Sequence, residues 1–149
     1  MDAPIIRSAL PADEAAWLKL WQGYCNDCGL AAGADVTRRT WTRILDPDSA
    51  IMCIVAEVEG QVYGFAHCVV HEHTCETQPV CRLEDLYVLP SARGRGMATA
   101  LIEWLRNAMR AEGWAQLYWL AGQDNELARK LSDRFGRADR LARYVVRPR

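Results

Sequence analysis

The apolar positions change period along the chain, and the changes mark the elements. Ile5 to Leu10 is a short apolar run stopped by Pro11, which predicts a strand. Ala16, Trp17, Leu20, Trp21 and Tyr24 then recur at helical spacing up to about Gly29, with Asp13 placed to cap or open that helix. Thr37 to Leu45 predicts a second, shorter helix that ends before Pro47. From there β-branched residues dominate. Ile51 to Val58 and Val62 to Val70 flank Glu59-Gly60, a hairpin signal. Pro79 breaks the chain before a strand from Arg82 to Val88, which stops at Pro90. Met97, Leu101, Trp104, Leu105 and Ala108 form one stripe of a helix from Met97 to Ala111, closed by Gly113. Gln116 to Ala121 predicts a strand, Asn125 to Phe135 a helix, and Ala142 to Val146 a last strand. The order is β-α-α-β-β-β-α-β-α-β. Hairpins precede the β-α-β part, so the expected fold is α/β, a mixed sheet of six to seven strands with helices on both faces.

Composition narrows this picture. Half of the 149 residues are hydrophobic, enough for a core without staples. No repeat or long linker interrupts the pattern, so residues 1–149 are expected to form a single domain. Eighteen basic residues face nineteen acidic ones, so nothing calls for nucleic acid as a partner. Met1 to Leu10 lacks a positive start and a long apolar run, and no stretch reaches the length of a membrane span. The expectation is a cytoplasmic protein without a membrane partner, in which the six cysteines are reduced thiols. Cys25 and Cys28 form a C-x-x-C that could be joined with His71, His73 and Cys75 in a zinc site. The second half of that set is poorly spaced and the first pair ends a helical pattern, so no metal is expected.

The segment that carries chemistry runs from Leu83 through Glu84, Asp85, Leu86, Tyr87, Val88, Arg93, Gly94, Arg95 and Gly96 to Met97 and Ala98. It reads as a strand, a Gly- and Arg-rich turn, and a helix start. Backbone N–H groups at a helix amino terminus have no partner inside the helix and carry the positive end of its dipole. Glycines let that backbone approach a bulky anion, and Arg93 and Arg95 add positive charge. A tight turn using Gly for geometry alone would show the same glycines, but not the interleaved arginines. The turn is not a Walker loop, because no Lys with Ser or Thr follows Gly96. It is not a dinucleotide fingerprint either, because the third Gly is missing.

Arg93-x-x-Gly96-x-Ala98 resembles the R/Q-x-x-G-x-G/A signature of the GCN5-related N-acetyltransferase (GNAT) superfamily. Glu57, Gly60 and Gly64-Phe65 resemble that family's central hairpin, and Leu83 to Val88 is similar to the strand before its loop. Tyr118-Trp119, Asn125, Ala128 and Leu131 are similar to the strand and helix that follow. The similarity is greatest to the subgroup acting on polyamines, basic proteins and amino acids. The resemblance implies a splayed sheet, with acetyl-coenzyme A as cosubstrate. Its pantetheine arm would pair with the backbone of Leu86, Tyr87 and Val88 and touch Asn125. Its pyrophosphate would sit on Arg93, Gly94, Arg95, Gly96, Met97, Ala98 and Thr99. The product chemistry is acetyl transfer to a primary amine, of a polyamine, an amino acid, another small amine or a lysine-type acceptor. The alternative is a catalytically weak or inactive coenzyme A-binding sensor. A homodimer is the expected assembly.

An alkyl ammonium, with a pKa of about 10.4, must lose a proton before it can attack a thioester. Glu84 and Asp85 are adjacent on one strand and are expected on opposite faces of the sheet. By analogy with the polyamine enzymes, Glu84 is the expected general base and Asp85 the contact for the substrate ammonium. Pairing of both with a neighbour such as Arg82 is the structural alternative. The Val88 N–H is the expected oxyanion donor. Trp21 and Tyr24, with Trp17, are expected to wall the acceptor pocket. His67 is expected to be packed, whereas His71 and His73 could line the acceptor side. Where the family commonly has a Tyr that protonates the leaving thiolate, this chain has Ser132. A serine hydroxyl is short and a poor acid, so Tyr118 or water would take that role, or no acid would be needed.

Overall fold

The computed structural model describes residues 2–148. The strands are β1 (Ile5–Ser8), β2 (Ile51–Val58), β3 (Gln61–His71), β4 (Val80–Val88) and β5 (Leu117–Tyr118). The helices are α1 (Glu14–Cys28), α2 (Ala34–Leu45), α3 (Met97–Glu112) and α4 (Glu126–Asp133). The strands lie in sequence order in one sheet, antiparallel except for the parallel β4–β5 pair. This is the mixed α/β sheet that the order of elements predicts. The hairpin signal is realised as a left-handed turn, with φ of 51° at Glu59 and 80° at Gly60.

The chain divides into two compact units, Met1–Trp119 and Leu120–Arg149. The first holds the whole sheet. Cys53, Ile54, Val55 and Ala56 are consecutive and all buried, so both faces of β2 are covered. On one face α1 and α2 bring Trp17, Leu20, Trp21, Cys25 and Trp41 against Cys53, Val55, Phe65 and Tyr87. On the other, α3 packs with Met97, Leu101, Ile102 and Leu105 buried. Arg7 fastens β1 to this frame, donating to both oxygens of Asp13 at 2.8 and 3.0 Å and to Glu57 at 3.1 Å.

Among the described residues the strand count is five, not six to seven. The strand expected over Gln116 to Ala121 pairs only at Leu117 and Tyr118. Ala142 to Val146, in the second unit, forms no strand. Its apolar residues are not buried: Tyr144 is 90% and Val146 96% exposed, so alternation alone found no face to cover. Asp13 precedes α1 but makes no side-chain cap to it; its carboxylate accepts from the Leu10 N–H and from Arg7 instead. The second helix opens at Ala34 rather than Thr37, and α4 spans Glu126–Asp133 rather than running from Asn125 to Phe135.

Candidate active site

The β3–β4 ladder contains a defect where the chemistry was expected. His67 lies opposite Asp85, but Cys68 lies opposite Leu83, so Glu84 is an extra residue, a β-bulge. His67 shares the α1 face with Phe65, whereas Cys68 is on the α3 face. Leu83 and Asp85 therefore face opposite sides although they are two residues apart. The regular alternation assumed for Glu84 and Asp85 is therefore interrupted at Glu84. The bulge leaves Glu84 exposed and puts Asp85 on the α1 side of the sheet with His67. Asp85 does not pair with Arg82. Its carboxylate meets His67 Nδ1 at 2.9 Å, and its side chain is 15% exposed.

A second defect lies one residue earlier. β5 pairs with β4 at Cys81 and Arg82 only. Beyond that point no strand among the described residues covers the β4 edge along Leu86, Tyr87 and Val88. Along Leu86 to Val88 the ladder partner is β3, and the Val88 carbonyl accepts from Arg93 Nε.

β4 then runs through a single turn at Pro90–Ala92 to Arg93, Gly94, Arg95 and Gly96. Gly96 precedes α3 with φ of 81°, a left-handed conformation that glycine adopts freely. No side chain caps α3 and its first turn holds no acidic residue. The first helical bond is Ala100 N–H to the Gly96 carbonyl, which leaves the N–H groups of Met97, Ala98 and Thr99 for an anion. Arg95 is exposed beside them. Arg93 braces the turn: its Nε donates to the Val88 carbonyl at 2.9 Å and Nη2 reaches Asp27 at 3.2 Å. Its guanidinium also lies 5.2 Å from the centre of the Tyr87 ring. Much of its bonding capacity thus ties the turn to β4 and α1. The strand end that β5 leaves unpaired is thus followed directly by a helix start able to receive an anion.

The α1 side of the site is aromatic. Tyr24 stacks on Trp21 at 5.7 Å and meets Phe65 and Tyr87 edge-on at 6.1 and 6.2 Å. Burial, followed by the Asp85 carboxylate, raises the Tyr24 hydroxyl above its ordinary range, so it is a neutral donor at physiological pH. Burial and the same carboxylate raise the Cys25 thiol. Trp21 is buried and donates to Thr37 at 3.1 Å; it also lines a cleft of about 810 Å³ between α1 and α2.

His67 is packed, as its place in the hairpin strand predicts. Both of its nitrogens are in use, one toward Asp85 and one accepting from Trp17 Nε1 at 2.9 Å. The signal available was a histidine two positions after Phe65 on an inward face. Its partners were hidden by the bulge. His71 Nδ1 donates to the Glu72 carbonyl, so its Nε2 accepts from the Tyr118 hydroxyl at 2.8 Å. In the second unit, Asn125 caps α4 by accepting from the Ala128 N–H at 3.1 Å, and Ser132 lies half-buried in that helix. Among the described residues no cluster of His, Cys, Asp or Glu could hold a metal ion, and no helix is long and apolar enough to cross a membrane. All six cysteines are free thiols.

Comparison with known proteins gives a consistent result. Residues 14–136 match the acetyltransferase (GNAT) family. The chain is 30% identical over 132 residues to the D-amino-acid N-acetyltransferase HPA3 of Saccharomyces cerevisiae, covering 87% of this chain and 82% of that protein. It is 34% identical over 113 residues to an aminoglycoside N(6')-acetyltransferase type 1 of Stenotrophomonas maltophilia, covering 71% and 70%. The fold matches that of AAC(6')-Iy in complex with a bisubstrate analogue, CoA-S-monomethyl-acetylneamine. That match has a TM-score of 0.84, 23% identity and 99% coverage of both chains.

Proposed function

The chain belongs to the GNAT family of acetyltransferases, and from that premise we propose that it acetylates the primary amine of a small cationic acceptor such as an amino acid or a polyamine. The observation that carries the reading is the open end of β4 leading directly into the uncapped, glycine-entered start of α3. Acetyl-coenzyme A supplies the activated acetyl thioester. The N–H groups of Met97, Ala98 and Thr99 would hold its pyrophosphate, with Arg95 adding charge. The backbone of Leu86, Tyr87 and Val88 would hold the pantetheine arm, and the Val88 N–H is the proposed oxyanion donor.

Asp85, half-buried and facing Tyr24 and His67, receives the acceptor ammonium. Glu84, exposed at the bulge, takes the proton that the ammonium must lose, directly or through water. HPA3 is named for amino acids and the Stenotrophomonas maltophilia relative for aminoglycosides, which supports a small amine as acceptor. The test is release of free thiol from acetyl-coenzyme A across a panel of amino acids, polyamines and aminoglycosides. The expected result is amine-dependent turnover in which cationic acceptors lead. Coenzyme A binding with no turnover on any amine would favour a sensor instead.

A further inference from the structure

The Asp85 carboxylate meets a histidine rather than a Lys or Arg, at 2.9 Å. His67 is 3% exposed and its ring is wedged among Phe65, Trp21 and Trp17, at centroid distances of 4.4, 5.4 and 6.0 Å. An indole N–H can only donate, so the bond from Trp17 requires a lone pair on His67 Nε2. The ring proton then sits on Nδ1, where it is donated to Asp85 at 2.9 Å. Trp17 is itself held by Trp21 and Trp41, at 5.9 and 4.9 Å. The Asp85 carboxylate thus gains a fixed donor that carries no charge. The Tyr24 hydroxyl, raised by burial and then by Asp85, is neutral as well. A Lys or Arg at either place would orient the carboxylate equally well but would cancel the charge that an ammonium needs.

We infer that His67 is a positioning residue for the acceptor: locked by Trp17 with its proton on Nδ1, it holds the Asp85 carboxylate, uncompensated, for a cationic amine. The inference rests on the proposed contact between Asp85 and the ammonium. It adds that the acceptor enters as a cation and loses its proton only after binding.

The test compares two primary amines of similar size at saturating acetyl-coenzyme A and neutral pH. One is an alkylamine, protonated in solution; the other is a fluorinated alkylamine, largely neutral. The readout is the KM of the cationic amine divided by that of the neutral one. His67→Leu should raise this ratio about tenfold to a hundredfold, the worth of a hydrogen bond to a charged group. His67→Asn, which keeps an N–H donor near the Nδ1 position, should recover most of the loss. Trp17→Phe, which frees the ring to change tautomer, should raise the ratio about threefold or more, the worth of a neutral hydrogen bond. Should His67→Leu fail to fold, the other two variants decide. A Trp17→Phe protein with the parent's ratio, or no difference between Asn and Leu at position 67, overturns the inference. Asp85→Asn separates the two claims. If it leaves the ratio at the parent's value, the ammonium contact fails and the inference with it. If it raises the ratio while the His67 and Trp17 variants do not, only the inference fails.

Discussion

Replacing Gly96 by Val tests the anion cradle without touching a packed side chain. A Cβ added at Gly96 would meet nothing within 4 Å, so the substitution causes no clash. The difficulty is the backbone, because φ at Gly96 is 81°. An L-residue held in the left-handed region costs roughly 1–2 kcal/mol, and a β-branched one more. The turn relieves that strain by moving to negative φ, which redirects the N–H groups of Met97, Ala98 and Thr99. Each hydrogen bond to a charged group contributes about 1.5–3 kcal/mol, so losing two weakens binding roughly a hundredfold to ten-thousandfold. Gly113, at the other end of α3, is a matched control, with φ of 75° and nothing within 4 Å. Gly113→Val should lower the melting temperature about as much as Gly96→Val does. Only the Gly96 variant should lose affinity for coenzyme A in calorimetry, and pantetheine, which lacks the pyrophosphate, should bind both alike. Unchanged coenzyme A affinity in a folded Gly96→Val protein, or an equal loss in Gly113→Val, would refute the cradle.

Three further outcomes are expected. Glu84→Gln should lower turnover about a hundredfold or more, the usual worth of a positioned base, while coenzyme A affinity stays near the parent's; parental turnover at neutral pH would move the role to another group. The parent, with Ser132 in place of a phenolic acid, should turn over slowly, and Ser132→Tyr should raise the rate by up to about 10²–10⁴-fold if the hydroxyl reaches the sulfur; a fall in steady-state rate would mean that another acid is in place. The Arg7 guanidinium, by hydrogen bond, holds the Asp13 carboxyl below its ordinary value of 3.8. That contribution to stability is complete above this value and is lost as pH falls through the lowered native one. Asp13→Asn should therefore cost roughly 1–3 kcal/mol at neutral pH, read by urea melts, and should flatten the acid limb of the stability profile.

Local rules were enough for the elements that local rules govern. Glu59-Gly60 announced a hairpin, and the stripe Met97, Leu101 and Leu105 announced the buried face of α3. The glycine-entered, uncapped start of α3 was legible too, because a strand, a glycine turn and a helix start are contiguous in the chain. His67 and its partners were not. They lie fifty and eighteen residues from it, and nothing in the sequence sets their register. The edge of the sheet was over-read for a related reason. Alternation in Gln116 to Ala121 and Ala142 to Val146 describes what a strand could bury, not whether a neighbouring strand is there to receive it.

The bulge at Glu84 follows from what β4 must bury. Cys81 and Leu83, at 0% and 5% exposure, face α3 with Val70 and Cys68. Tyr87, at 7%, faces α1 with Phe65. All three numbers are odd, and a regular strand would put them on one face. One extra residue between Leu83 and Asp85 resolves the conflict, and without it either end of the strand would turn its apolar side chains the wrong way. The same insertion sharpens the local twist of β4, two residues after the last one that β5 pairs with, Arg82. Continued pairing there would occupy the β4 edge along Leu86 to Val88. One packing requirement thus accounts for two features of the site: a break in the alternation of β4 at Glu84, beside Asp85, and a strand end that β5 does not pair, leading to the turn before α3.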